Sequence, residues 1–350
     1  MNRPPHRQEE DVSPMPLPYQ RAKDATRHRR GNVPGKRRRI GAIGAAIIAV
    51  AAIAIGIIVF NKSSEPTGPL PVHLPPATAS YLGVYTRGLP DSYEPVTAFT
   101  KATGSNPNVV MYYSGWYVPF PTGFANTVAN HGGVPLVQMN PDHINIAHIA
   151  SGRYDGYLSA YAEAVRAYKH PVILGFGHEM NGNWSSWGYR NTNPAAFVAA
   201  WRHIVSLFRA LGAQNITWLW TVNIINDSRS GKVDNRLNQW WPGASYVTWV
   251  GIDGYYLKSN WQFAPLFGPT IGKVRTLTSA PILIAETGAV PAAGQPSKIA
   301  DLFAGIRSYG LLGFVYFNTT NSVGLPFGIS SPAAVAAFHK GASTYHRPGS

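Results

Sequence analysis

The sequence of 350 residues contains no cysteine and few acidic residues, sixteen Asp and Glu against thirty Lys and Arg. Without cysteine the chain has no disulfide, no thiolate nucleophile and no thiolate metal site, so its fold depends on burial of apolar side chains, which fits an exported domain. The positive excess is concentrated at the start, because residues 1–39 carry eleven Lys or Arg and four acids. The remaining basic residues are scattered singly, which argues against nucleic-acid binding by the rest of the chain.

Motifs for metal and nucleotide binding are also missing. A zinc-binding H-E-x-x-H motif needs a second histidine, and after His178-Glu179 that position is Gly182. No other histidines have ligand spacing, and the glycine-rich stretches lack a Walker A lysine and a G-x-G-x-x-G pattern. We therefore predict no metal and no other cofactor.

One long uncharged run lies near the N-terminus. Ile40 to Phe60 comprises 21 residues without a charge, which is long enough to cross a bilayer as a helix. The block Lys36-Arg37-Arg38-Arg39 precedes it and only Lys62 closely follows it, so the N-terminus is predicted to be cytoplasmic and the chain beyond residue 61 extracellular. A cleaved signal peptide is the competing interpretation, but the run exceeds a usual signal core and no cleavage site is evident near it.

These features divide the chain into four predicted parts. Residues 1–39 are polar and basic without apolar periodicity, which is typical of a disordered cytoplasmic tail. Residues 40–60 form the predicted transmembrane helix, and residues 61–80 form a proline-rich linker. Residues 81–350 contain recurring apolar runs and are predicted to form the folded domain.

Eight apolar runs in the last part predict buried strands. They are Tyr81–Thr86, Val109–Trp116, Val134–Asn140, Val172–Glu179, Ile216–Asn223, Val247–Tyr255, Pro281–Glu286 and Gly313–Asn318. Several precede helix-like segments, and such alternation is typical of parallel strands covered on both faces. Eight units in about 270 residues predict a (β/α)8 TIM barrel. A doubly wound sheet is the alternative, because the connection between the first two strands is poorly defined.

Two glutamates lie at the ends of predicted strands. Glu179 closes the fourth strand and Glu286 closes the seventh, whereas only two other glutamates occur from Tyr81 onward. Barrel enzymes build their active sites at these carboxyl ends of strands. Two carboxyl groups in one site suit glycoside hydrolysis, in which one protonates the leaving oxygen and the other attacks the anomeric carbon.

Strand alternation predicts where the two carboxyl groups point. Gly175 and Gly177 share a face with Glu179 by two-residue spacing, which would leave the space beneath this carboxyl group open. On the seventh strand, Ile282 and Ile284 share a face with Glu286 by the same spacing.

Other interpretations of the acids stay open. Glu179 could cap a helix, although the next predicted helix begins fifteen residues later. Glu286 could form a structural ion pair with an arginine. Asp253 could be a third carboxylate of the site or a buried group held by backbone amides.

Three segments carry a resemblance to a known family. They are His178-Glu179-Met180-Asn181-Gly182-Asn183-Trp184 with Trp187-Gly188, Val250-Gly251-Ile252-Asp253-Gly254-Tyr255, and Ile284-Ala285-Glu286-Thr287-Gly288. In this order they resemble the acid/base signature, the strand-six motif and the nucleophile strand of glycoside hydrolase family 26, which includes β-mannanases and some β-1,3-1,4-glucanases. The resemblance covers roughly Tyr81 to Phe338.

The resemblance implies a retaining mechanism, with Glu179 as general acid/base and Glu286 as nucleophile. It also implies that His178 orients the pair or the sugar, that Tyr255 donates a hydrogen bond to Glu286, and that Trp184 forms an aromatic wall beside the cleavage point. The further candidates for substrate binding are Trp116, Asn223 and Trp187.

The predicted function is that of a membrane-anchored extracellular retaining β-glycanase acting as a monomer on a β-1,4-linked polysaccharide. Mannan is ranked first as the substrate. A glucanase acting on mixed-linkage β-glucan is the alternative enzyme, and a non-catalytic barrel that binds cell-surface glycan is the alternative outside enzymes.

Overall fold

The computed structural model describes residues 73–226 and 232–345. The predicted tail at residues 1–39, the predicted transmembrane helix at residues 40–60 and most of the predicted linker lie outside this part of the chain. Among the helices that are described, none combines the length and the apolar character needed to cross a membrane.

Eight parallel strands form a closed barrel in chain order, with β8 paired to β1. This confirms the predicted (β/α)8 architecture and excludes the doubly wound alternative. The strands are β1 (Tyr81–Tyr85), β2 (Val109–Gly115), β3 (Val134–Asn140), β4 (Val172–Phe176), β5 (Ile216–Asn223), β6 (Trp249–Asp253), β7 (Ile282–Thr287) and β8 (Gly313–Phe317).

Helices cover the outside of the barrel. In the described residues they are α1 (Glu94–Thr103), α2 (Thr122–Asn130), α3 (Ala147–Ala150), α4 (Asp155–Tyr168), α5 (Pro194–Ala210), α6 (Leu237–Trp240), α7 (Phe263–Arg275), α8 (Gln295–Ser308) and α9 (Pro332–Ala342), with 3-10 turns at Ala244–Tyr246 and Pro291–Ala293. The longest, α5, starts as its sequence predicts, because Pro194 has the fixed φ of a first helical residue and Asn193 Oδ1 accepts a hydrogen bond from Ala195 N at 2.8 Å.

Alternate residues of the strands enter two different apolar cores. One face fills the barrel interior, with Met111, Leu136, Leu219, Leu283 and Val315 among its members. The opposite face packs against the helices. Because the interior is filled up to the carboxyl ends of the strands, a ligand on the barrel axis would lie above this packing, at the mouth of the barrel.

The structure corrects the predicted path of the fourth strand. β4 ends at Phe176, and Gly177 and Glu179 then adopt left-handed backbone angles with φ of 55° and 53°. Two-residue alternation therefore stops before it reaches Glu179. The space above Gly175 is filled by the side chain of Gln138, and a Cβ on Gly177 would lie 2.8 Å from a ring atom of Phe197 in α5. The predicted open floor beneath Glu179 is wrong.

The predicted alternation on the seventh strand is wrong as well. Ile282 and Ile284 belong to the outer core beneath the helices, whereas Leu283 and Ala285 belong to the interior core. Register irregularities between β6 and β7 and between β7 and β8 break the alternation before Glu286. A β-bulge inserts one extra residue into a strand and so interrupts the two-residue alternation. Glu286 therefore points toward the barrel mouth instead of toward the helices.

Candidate active site

Glu179 lies on a turn directly above β4, with a side chain only 4% exposed. Its backbone N–H donates to Thr221 O of β5 at 3.0 Å, which fixes the turn against the neighbouring strand. Each carboxyl oxygen accepts a hydrogen bond from a nitrogen donor: Trp184 Nε1 lies 2.7 Å from Oε2 and Asn223 Nδ2 lies 2.6 Å from Oε1. The carboxyl group is therefore held from two sides.

The segment after Glu179 folds back so that Trp184 can reach the carboxyl group. Gly182 N donates to Glu179 O at 2.8 Å, and Tyr189 N donates to Met180 O at 2.8 Å. A side chain at position 182 would collide with the indole of Trp184. Glycine is required here because the indole lies directly on the backbone.

Asn181 joins this segment to the end of β5. Its Oδ1 accepts from Asn223 N at 2.8 Å, and its Nδ2 donates to Asn223 O at 2.9 Å. Two backbone hydrogen bonds, Asn183 N to Lys232 O at 3.0 Å and Asp234 N to Asn181 O at 2.7 Å, tie the same segment to the chain that follows β5. Asn223 is thus fixed through its backbone before its amide meets Glu179.

Glu286 is 6% exposed and receives oxygen donors instead of nitrogen donors. The hydroxyl of Tyr255 donates to its Oε1, as the resemblance implied, and the hydroxyl of Tyr113 donates to its Oε2. Burial raises the pKa of Glu286 to about 8. The two hydroxyls act against that shift, because hydrogen bonds donated to a carboxylate favour its ionised form.

Tyr113 was not among the predicted site residues. It lies in β2, two residues after Met111, and both side chains belong to the interior core. Within an apolar strand a tyrosine resembles ordinary core, and only its position near the carboxyl end of β2 distinguishes it. That position was the available sequence signal.

Tyr255 contacts one member of the carboxyl pair directly. Its hydroxyl bonds Glu286, and its pKa is raised well above the usual value by burial and, in addition, by the negative charge of Glu179. The strand register agrees, since Asn223 of β5 pairs with Asp253 of β6, which pairs with Glu286 of β7. The structure therefore brings Glu179 and Glu286 to one mouth of one barrel.

His178 is buried beside the pair. Its Nδ1 lies 3.1 Å from Asn140 Oδ1, and its ring centroid lies 5.3 Å from that of Tyr113. Burial lowers its pKa to about 3. The imidazole is consequently uncharged near neutral pH, and Nδ1 carries the proton that is donated to Asn140 Oδ1.

The other two predicted tryptophans lie at different depths. Trp187 is completely buried, and its Nε1 donates to His178 O at 2.8 Å, so it supports the backbone under the site instead of facing a ligand. Trp116 is 8% exposed and packs in an aromatic cluster with Tyr154 and Tyr157, next to the exposed Tyr117. Trp184 and Asn223 lie directly at the carboxyl pair.

Within residues 73–226 and 232–345, no three His, Asp or Glu side chains converge as a metal site would require. Glu179 and Glu286 instead meet neutral donors: indole, amide and phenol. Such a pair can carry a proton on one member and a negative charge on the other, which is the requirement of acid/base and nucleophilic chemistry on the same substrate.

Comparison with known proteins gives a family match over the site. The family model described as glycosyl hydrolase family 26 matches residues 98–287, which include both carboxyl groups. Endoglucanase H of Acetivibrio thermocellus is 30% identical over 270 residues, which cover 72% of this chain and 29% of that protein. Mannan endo-1,4-beta-mannosidase A and B of Caldalkalibacillus mannanilyticus is 29% identical over 86 residues, which cover 23% of this chain and 15% of that protein. The chain spans less than a third of the length of these relatives.

Solved structures show the same fold. An endo-beta-1,4-mannanase double mutant of Cellulomonas fimi has a TM-score of 0.58 at 15% identity, covering 76% of this chain and 72% of the other. A GH26 beta-mannanase of Bacteroides ovatus has a TM-score of 0.55 at 16% identity, covering 76% and 88%. At these identities the likeness supports the architecture alone.

Proposed function

The chain belongs to glycosyl hydrolase family 26, and we propose that its barrel hydrolyses β-glycosidic bonds with retention of the anomeric configuration. The observation that carries this proposal is the pair Glu179 and Glu286, two buried carboxyl groups at one barrel mouth, at the carboxyl ends of β4 and β7. Their different donors suit two different chemical roles.

In the proposed reaction, Glu286 attacks the anomeric carbon while Glu179 gives its proton to the departing glycosidic oxygen. The products of this step are a glycosyl ester on Glu286 and a free sugar hydroxyl. Glu179, now ionised, then takes a proton from a water molecule that attacks the same carbon, which releases Glu286 as a carboxylate. Two inversions at one carbon leave the β configuration unchanged, and the mechanism needs the carboxyl groups about 5–5.5 Å apart.

The neighbouring residues support this division. Glu286 must be ionised when it attacks, and the hydroxyls of Tyr113 and Tyr255 stabilise that charge in a buried place. Glu179 must change its protonation state twice per turnover. Neutral His178, fixed by Asn140 and lying against Tyr113, adds no charge of its own to the pair.

For the substrate we rank β-glucan before mannan. Mannan ranks first from the sequence alone, although the catalytic motifs do not distinguish the two sugars. The endoglucanase matches 72% of this chain, whereas the mannosidase matches 23% at similar identity. Mannan is the second candidate on the strength of that shorter match. The two backbones differ at the 2-hydroxyl, so the choice depends on side chains around the sugar and not on the carboxyl pair.

The experiment is an assay of the purified full chain in detergent with lichenan, glucomannan, mannan and xylan. We expect reducing ends to appear with lichenan first, and proton NMR of the first products to show the β anomer. Release from mannan alone would reverse the substrate order. Binding of a glycan without release from any of the four would instead establish the non-catalytic barrel.

We also propose that residues 40–60 hold the barrel outside the cell membrane. The support is the uncharged run of 21 residues with the basic block before it and the proline-rich linker after it. Protease added to intact cells should remove a C-terminal tag and spare an N-terminal one. Recovery of the full-length chain in the soluble fraction would contradict this topology.

A further inference from the structure

Asp253 is a buried carboxyl group that the proposed reaction does not use. It ends β6, is 1% exposed, and neither of its carboxyl oxygens has a hydrogen-bond partner among the described residues. An acceptor that is buried without a donor is costly, and for an ionised carboxylate the cost is greater still. The position therefore requires an explanation from its surroundings.

The strand register places Asp253 between the two halves of the carboxyl site. It pairs with Asn223 on one side and with Glu286 on the other. Its side chain points toward the barrel axis, because it follows Gly251 by two residues and a Cβ on Gly251 would meet the inward side chains of Thr221 and Ala285. Asp253 is thus a lateral neighbour of the amide that holds Glu179.

Asn223 also has a buried oxygen without a hydrogen-bond donor in the described part of the chain. Its Nδ2 donates to Glu179 Oε1 at 2.6 Å, but its Oδ1 is buried and accepts no hydrogen bond from the described residues. Two neighbouring groups thus present acceptors without a donor between them. One proton on Asp253 would give Asn223 Oδ1 a donor and one Asp253 oxygen a partner, because a protonated carboxyl group gains an O–H donor.

The electrostatics of the site favour that proton. Burial, and after it the negative charge of Glu179, raise the pKa of Asp253 well above its usual value. The other titratable groups of the site are Glu286 of β7 and the tyrosines Tyr85, Tyr113 and Tyr255, with the neutral His178. Arg87 acts on Tyr85, but only burial and Glu179 act on Asp253, and neither would keep it ionised.

We propose that Asp253 is a positioning residue that stays protonated and donates to Asn223 Oδ1, which holds the Asn223 amide with its N–H directed at Glu179. The proposal rests on the proposed function, since it assigns Asp253 a part in setting the acid/base. Without the donor, the amide would be free to rotate by half a turn about its last bond, and its oxygen would then face the carboxylate.

The test compares two substitutions of nearly equal size in the full chain. Asp253→Asn keeps an N–H donor and removes the acid, and Asp253→Leu removes both. We expect Asp253→Asn to retain kcat within about threefold. Asp253→Leu should lower kcat by roughly 10- to 100-fold, the worth of the hydrogen bond from the Asn223 amide to the charged Glu179. Thermal unfolding of both variants shows whether each is folded.

A double-substitution cycle tests the route through Asn223. Asn223→Ala and the combination Asn223→Ala with Asp253→Leu should have the same kcat, because Asp253 has nothing to position once the amide is gone. Additive losses would overturn the proposal. Equal losses in Asp253→Asn and Asp253→Leu, with both folded, would overturn it too, since the acid itself would then be required.

Infrared difference spectroscopy gives a readout that does not depend on turnover. The wild type minus Asp253→Asn spectrum at neutral pH should contain the C=O stretch of a protonated carboxyl group. A carboxylate band in its place would refute the proposal even if Asp253→Leu fails to fold. Absence of hydrolysis by the wild type would remove the proposed function but leave this spectroscopic result to be judged separately.

Discussion

The two carboxyl groups of the site reach the barrel mouth by different structural routes. Glu179 lies beyond the end of β4 on a turn with a left-handed backbone, and nitrogen donors from Trp184 and Asn223 hold it. Glu286 lies within β7 where the strand is bulged, and the hydroxyls of two tyrosines hold it. One group is therefore placed by a loop and the other by the sheet.

The donors differ in what they can do when the carboxyl group changes its charge. An indole or amide N–H can only donate, so it favours the ionised state of Glu179. It cannot accept a hydrogen bond from a carboxyl oxygen that carries a proton. A tyrosine hydroxyl can donate or accept. The N–H donors therefore favour the release of a proton from Glu179, whereas the tyrosine hydroxyls can accompany Glu286 in either protonation state.

The largest effect is expected from Glu286→Ala. Loss of the nucleophile should lower kcat by about 10⁴-fold or more. Azide fits the space of the missing carboxylate and should restore turnover, giving a glycosyl azide of inverted configuration because only one displacement then takes place. Product NMR measures the configuration. Wild-type activity in this variant would reassign the nucleophile.

Glu179→Ala should be less damaging, and its effect should depend on the leaving group. For a natural glycan, whose departing hydroxyl needs a proton, we expect a loss of roughly 10²- to 10⁴-fold. For an aryl glycoside with an acidic phenol the first step should be nearly unaffected, and azide should yield a product of retained configuration. An equal loss with both substrates would contradict the acid role.

Much of this site could be predicted from the sequence, because its strongest signals are local. Long apolar runs gave the eight strands, and Glu179 and Glu286 are rare charged residues at the ends of such runs. The directions of the side chains could not be predicted. Neither the bulge in β7 nor the left-handed angle of Glu179 has a residue type that marks it, and Tyr113 looks like core until its hydroxyl is seen on Glu286.

Tyr113→Phe and Tyr255→Phe test whether the two hydroxyls stabilise the charge of Glu286. Glu286 must be ionised to attack, so kcat/KM of the free enzyme should fall as pH drops below its pKa, which burial has raised to about 8. Removal of a donor to the carboxylate raises that pKa further and moves the acid limb to higher pH. At pH 6 we expect losses of roughly 10- to 100-fold. A limb that stays in place would show that the hydroxyls do not stabilise the charge.

Gly182→Ala tests the nitrogen side. The added methyl group would collide with the indole of Trp184 and displace its N–H from Glu179. We expect kcat to fall by about tenfold, the worth of one hydrogen bond to a charged group at its lower end. Gly123→Ala in α2 is the matched control, because its methyl group would meet no atom within 4 Å. Equal activity of the two variants would mean that the indole N–H is dispensable.

The smallest effect concerns stability. Glu286 keeps its proton to about pH 8 in the folded chain but only to about pH 4.5 in the unfolded chain. The unfolded chain therefore binds fewer protons between these values, and the free energy of unfolding falls as the pH rises. The slope is at most about 1.4 kcal/mol per pH unit. Glu286→Gln has no proton to lose, so its melting temperature relative to wild type should increase between pH 5 and pH 8. Glu163→Gln, which removes an exposed carboxyl group from α4, is the control. A constant difference in melting temperature across that range would mean that the pKa of Glu286 is not raised in the folded chain.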